Sequence, residues 1–128
     1  LFAVEDLRKL MSSDKCPQTN GAMVTFLANR LTERFEPVTQ RLEEKVDGLE
    51  DDMLDQNTPP PKQAVANFRR AVLSMRRYIS PQREAISSLI REGDALLSDE
   101  DRMILRETHD EVFRLSEQLD MIRERAMV

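Results

Sequence analysis

Apolar positions recur at steps of three and four along most of this chain, the period of helices that bury one face. In the first segment Phe2, Leu7, Leu10 and Met11 mark a short amphipathic helix. The polar loop SSDKCPQTNG comes after it, with Thr19 or Asn20 placed to cap the next helix. From Ala22 to Gln56 a seam runs Met23, Leu27, Leu31, Phe35, Val38, Leu42, Val46, Leu49, Met53. Pro37 lies inside it and predicts a kink or a break near Phe35. Beyond Pro59, Pro60 and Pro61 a second seam runs Val65, Phe68, Val72, Met75, Ile79, Ile86, Leu89, with Pro81 as a second kink. Arg91 to Leu97, with Gly93, reads as a turn. SDED from Ser98 starts a third helix as a capping-box variant, with Asp in place of Glu. Its seam is Leu105, Thr108, Val112, Leu115, Leu119, Ile122, Ala126.

The three consecutive prolines separate an acidic stretch, Glu43 to Asp55, from a basic one, Lys62 to Arg83. If residues 57–61 form a bend, the index sums of facing seam positions stay nearly constant along both arms. The charges follow the same rule: Asp55 faces Lys62, Asp47 faces Arg70, Glu50 faces Arg69, Glu43 faces Arg76 and Glu36 faces Arg83. The expected fold is therefore all-α: a long antiparallel helical hairpin, plus a long third (stalk) helix, with a short N-terminal helix. The third helix returns its C-terminal end to the level of the proline bend. Apolar burial holds such a hairpin, because an exposed ion pair adds only about 0.3–0.5 kcal/mol; the charges are expected to choose the register.

Composition narrows the function classes. Charged residues are 34% and aromatics 5%, with no Trp and three Gly, a profile of long solvated helices. The net charge of −5 argues against a general nucleic-acid binder. One cysteine, Cys16, excludes an intrachain disulfide framework and fits a reducing compartment. No stretch reaches the ~20 apolar residues of a membrane span. The sequence opens on Leu-Phe rather than Met, and the last seam meets no stop signal before Val128; both features lead us to expect a fragment. With no nucleophile–base constellation, phosphate-cradling glycine loop or redox pair, the chain is not expected to be an enzyme.

KVDGLEDDMLDQNTPPP, then RRAVLSMRRYISPQR, then LLSDEDR, resemble the cytoplasmic region of ZntB zinc transporters, within the CorA metal-ion transporter superfamily. The resemblance rests on LEDxxLDQ before the prolines, MRRYxxPQR in the next helix and the acidic S-D-(E/D) start of the last. It covers nearly the whole chain, residues 1–20 more loosely. It implies a homopentamer at the cytoplasmic face of the bacterial inner membrane. Residues 1–20 would end an N-terminal domain, and 21–128 would form the hairpin and a stalk leading to membrane helices beyond this sequence. Five stalks would form a funnel for divalent metal ions, chiefly Zn2+, as transported or regulatory ion rather than resident cofactor. Mg2+ or Co2+ is an alternative cargo, and a helical scaffold or adaptor without an ion role is an alternative of another class.

Glu117, Asp120 and Glu124 stand at i, i+3 and i+7 on the third helix. In a pentamer they would stack as acidic rings that focus divalent cations; otherwise they are a solvated face. His109 is the only imidazole, and a Zn2+ role for it needs ligands from other chains, since no acidic residue stands three or four positions away. Glu50, Asp51, Asp52 and Asp55 could hold a hydrated cation, but pairing with the basic arm is the better expectation for them. The same pairing is expected to occupy Arg69, Arg70, Arg76 and Arg77. The seven methionines are read as seam filler.

Overall fold

A computed structural model describes residues 2–55 and 57–127. It contains α1 (Phe2–Met11), α2 (Asn20–Leu54), α3 (Lys62–Glu92) and α4 (Asp99–Met127). No strand occurs among the described residues. Leu1, Gln56 and Val128, at which expected segments begin or end, lie outside them.

Local chemistry sets the starts of the three long helices. Thr19 caps α2: its Oγ1 accepts from the Ala22 N–H at 3.0 Å. Ser98 and Asp101 complete a reciprocal capping box at α4. The Asp101 N–H donates to Ser98 Oγ, and the Ser98 N–H donates to Asp101 Oδ2, both at 3.1 Å. An aspartate thus takes the place usually given to glutamate. At the bend, the Asn57 N–H donates to Asp55 Oδ1 at 3.0 Å, and Pro61 stands immediately before α3, where a missing N–H costs nothing.

Neither interior proline breaks its helix. α2 runs unbroken through Pro37 and α3 through Pro81, so the break considered near Phe35 does not occur. Each proline withholds one donor, but tertiary packing over 35 and 31 residues outweighs a local loss of about 3 kcal/mol.

The decisive feature is the placement of α4. It packs along both α2 and α3, while those two touch each other much less. All seven seam positions expected on α4 are buried, as are Phe68, Val72, Met75, Ile79 and Ile86 of α3. They join Leu42 and Val46 of α2 in one core. On α2 the expected seam holds over its second half, where Leu42 and Val46 are buried and Phe35, Val38 and Leu49 pack against the core, and gives way elsewhere. Leu31 and Met53 are exposed, and the buried line is Thr25, Thr32, Thr39, Leu42, Val46. Threonines seven residues apart present a narrow face that lets α4 come close. Thr32 and Thr39 hide their hydroxyls by donating to the carbonyls of Ala28 and Phe35 at 2.9 and 3.0 Å. Thr32 also accepts from Gln82 of α3 at 3.1 Å.

This wedge overturns the expected charge register. None of the five α2–α3 pairs forms among the described residues; α4 supplies the partners instead. Arg125 clamps Asp47 and Glu50, Arg114 reaches Glu36 at 3.1 Å, and Asp120 meets Arg76 at 2.9 Å. Arg69 donates to the Ala126 carbonyl at 2.6 Å, a cation at a helix C-terminus. The facing rims of α2 and α3 each border α4, so their charges meet it before they meet each other. The methionine expectation fails as well: only Met75 is buried, and Met11, Met53, Met103, Met121 and Met127 are exposed.

α1 lies against α2. It buries Ala3 and Leu7, while Phe2 and Met11 of its expected face stay exposed. Asp6 accepts from Arg30 and Arg34 at 2.9 and 2.8 Å, and those guanidinium groups hold its carboxyl below the usual range.

Candidate functional site

α4 turns one stripe to the core and the opposite stripe outward. Its buried positions alternate in steps of four and three from Asp101 to Ala126, which leaves Glu117 and Glu124 exposed. Neither has an ion-pair partner among the described residues. Asp120, between them, leans toward α3: Arg76 Nε stands 2.9 Å from its Oδ1, close enough for an ion pair though not aligned as a hydrogen bond. The sequence stripe therefore splits into two outward carboxylates and one already compensated. Successive members rise about 4.5 and 6 Å along the axis, too far apart for one ion to take all three from a single chain.

His109 stands apart. It lies about 22 Å along the axis from Glu124, half-buried beside a groove between α3 and α4 that also contains Glu84, Arg83 and Arg91. Its Nδ1 is 3.8 Å from the Asp110 carboxylate. Among the described residues no group of three or more His, Cys, Asp or Glu side chains is placed to hold a metal ion. Glu117, Asp120, Glu124 and His109 thus do not converge on a single-chain metal centre.

The proline end carries the densest electrostatics. Arg125 Nε donates to Glu50 Oε1 at 2.8 Å, and its Nη2 reaches both Glu50 and Asp47. This fork holds the Glu50 carboxyl below its ordinary value. Structural pairing was the better expectation for Glu50 and it holds, but the partner is Arg125 of α4, not Arg69. Asp51 and Asp52 remain exposed without an ion-pair partner among the described residues. Under the bend, Val46, Leu49, Met53, Pro59 and Val65 line an apolar recess of about 500 Å3. The end of α4 lies at that recess through Arg125 and Ala126, so α4 does return to the bend.

Sequence reasoning missed Glu111. Its carboxyl is pushed up, first by burial and then by the charges of Glu36 and Glu33 on α2, with Arg114 opposing. It missed the threonine line for a related reason: threonine reads as polar, and the only signal was its seven-residue repeat.

Long helices wedged around one core, with charged outer faces, define an all-α class of protein built on a helical hairpin and a third long helix. The family model described as CorA-like Mg2+ transporter protein matches residues 1–128, and the chain belongs to that family. It is 30% identical over 120 residues to the zinc transport protein ZntB of Pectobacterium carotovorum, covering 94% of this chain and 36% of that protein. It is also 30% identical over 129 residues to the divalent cation transporter CmaX of Pseudomonas aeruginosa, covering 100% of this chain and 39% of that protein. The structure of full-length CmaX superposes with a TM-score of 0.88 at 30% identity, over 99% of this chain and 39% of that one. The chain thus spans under two-fifths of the length of these relatives. Their names describe transport and not a reaction, in keeping with the expectation that this chain is no enzyme. No helix among the described residues is long and apolar enough to cross a membrane.

Proposed function

We propose that this chain is the cytoplasmic, metal-facing part of a CorA-type divalent-cation transporter, with Zn2+ as its cargo. The observation that carries the reading is the match to CmaX over 100% of this chain in sequence and 99% in structure, and to ZntB over 94%. In this reading residues 1–20 close a preceding domain, and 21–128 form the hairpin and the stalk that leads toward membrane helices at the bacterial inner membrane. Five copies bring their α4 helices around a common axis. Glu117 and Glu124, outward and uncompensated, line that axis and raise the local concentration of divalent cations. Asp120 contributes less, because Arg76 already offsets its charge. His109 ligates metal only with donors from a neighbouring chain. Cation binding between copies relieves carboxylate repulsion and tightens the assembly; its loss loosens it. No resident cofactor is involved.

The test is metal flux in liposomes containing the full-length protein. Glu117→Gln/Glu124→Gln is expected to reduce Zn2+ flux most at low Zn2+ and to leave it nearly unchanged at saturation, as expected of a concentrating role. Flux equal to wild type at every Zn2+ concentration would refute the role of these carboxylates. Faster flux of Mg2+ than of Zn2+ would reassign the cargo.

A further inference from the structure

The groove beside His109, about 690 Å3 in volume, has a composition that the cation role does not explain. Steps of three and four along α3 place Ser80, Arg83, Ser87 and Arg91 on one wall, with Ser88 beside them. His109 of α4 closes the other side, and Glu84 is the one carboxylate among the lining residues. Arg30, Arg34, Arg76, Arg102, Arg114 and Arg125 each pair with a carboxylate. Arg83 and Arg91, like Arg70, Arg77 and several other arginines, have no such partner among the described residues; what sets them apart is the groove they share. Arg83 instead lies with its guanidinium over the Phe113 ring, 4.6 Å from the centroid. Stacking fixes the plane and leaves the N–H edge free to donate. Arg91 donates only to Ser88 Oγ, at 3.2 Å.

Two planar guanidinium forks, an imidazole and three hydroxyls in one concavity form a donor set for the oxygens of a phosphate. The same two cations repel a divalent metal. We infer that the α3–α4 groove binds a phosphate-bearing small molecule, its phosphate on Arg83 and Arg91 and its remaining polar groups toward Glu84. The volume lies in the ordinary range for such ligands. The inference is independent of Glu117 and Glu124, and it takes His109 as a donor to phosphate in place of the inter-chain metal ligation proposed above.

Titration calorimetry of the purified full-length protein in EDTA, with ATP and separately with inorganic phosphate, tests it. Saturable binding of at least one probe is expected. Arg91→Ala, at an exposed position that leaves the core intact, is expected to weaken it by about tenfold or more, the worth of a charge-assisted hydrogen bond. Arg83→Lys, which keeps the charge and loses the fork, is expected to weaken it too. Arg70→Ala/Arg77→Ala, exposed elsewhere on α3, is expected to leave it unchanged. Tighter binding of ATP places a whole nucleotide in the groove, and equal binding places the phosphate alone; either supports the inference. No saturable binding of either probe overturns it, as does an equal loss in the Arg70/Arg77 control.

Discussion

Thr25 buries a hydroxyl that finds no hydrogen-bond partner, whereas Thr32 and Thr39 satisfy theirs within their own helix. A buried unsatisfied group costs roughly 1–3 kcal/mol, and valine has nearly the same shape. Thr25→Val should therefore raise stability by about 1 kcal/mol, read as a higher midpoint in urea, while Thr32→Val should give no such gain because it strands Gln82. The carboxylates make opposite contributions to the pH dependence. Glu50 is held below its ordinary value, so its stabilisation is present above the unfolded carboxylate range and disappears as pH falls through the lowered value. Glu111 is held above its ordinary value, so it favours the fold while protonated and loses that contribution as pH rises through the raised value. Glu111→Gln should thus stabilise the protein at neutral pH and have little effect at low pH. Arg125→Gln should do the reverse, destabilising at neutral pH and converging on wild type in acid. Thermal melts from about pH 3 to about pH 8, a span that brackets carboxylate titration, measure both. Parallel curves for either variant would contradict its assignment.

The starts of α2, α3 and α4 carry local signals, and the α4 cap is the most exposed to test. Asp101→Ala removes the half of the reciprocal cap that its carboxylate makes, the acceptor for the Ser98 N–H, keeps the backbone N–H that donates to Ser98 Oγ, and should cost about 1 kcal/mol; Asp101→Asn, which retains an acceptor, should cost less. The same aspartate stands over the start of α2. A β-carbon on Gly21 would meet the Leu96 carbonyl oxygen at 2.2 Å and Asp101 Oδ2 at 2.8 Å. Gly21→Ala should consequently push the α3–α4 turn off α2 and lower the melting temperature, although alanine ordinarily favours a helix. A melting temperature equal to or above wild type would show that this junction yields. The boundaries and the α3 and α4 faces were legible in the chain, because caps and a three-four apolar period act within one element. The α2 face was legible only from Phe35 to Leu49. Its buried threonines rank as polar on any scale, and only the neighbour that needs a narrow surface there gives them an apolar role.

In the assembled protein, the proposed cation role couples the outward carboxylates of α4 to subunit packing. Chelation with EDTA should increase proteolysis of the full-length protein within α4. Glu117→Gln/Glu124→Gln should remove that dependence by removing the repulsion that metal offsets. Unaltered EDTA sensitivity in the double variant would place the metal elsewhere. The candidate stripe was readable as a spacing, but its division was not: Asp120 is claimed by Arg76 of another helix. Likewise Arg83 appears in the sequence as the last residue of the basic arm and Arg91 as the start of a turn, and they line a groove only because α4 runs beside them.

By itself the sequence determined a short first helix and three long ones, the reversal at the prolines, the return of α4 to that bend and the outward positions of Glu117 and Glu124. Each follows from interactions between residues a few positions apart, or from a chain too long to do otherwise. Tertiary structure decided the partners. Opposite charges on two arms contribute well under 1 kcal/mol per exposed pair, whereas burying the stripe of α4 on both neighbours removes many apolar side chains from water at about 25 cal/mol per Å2. Apolar burial, the stronger of the two, placed α4 between the arms, and the ion pairs formed wherever that placement left them within reach.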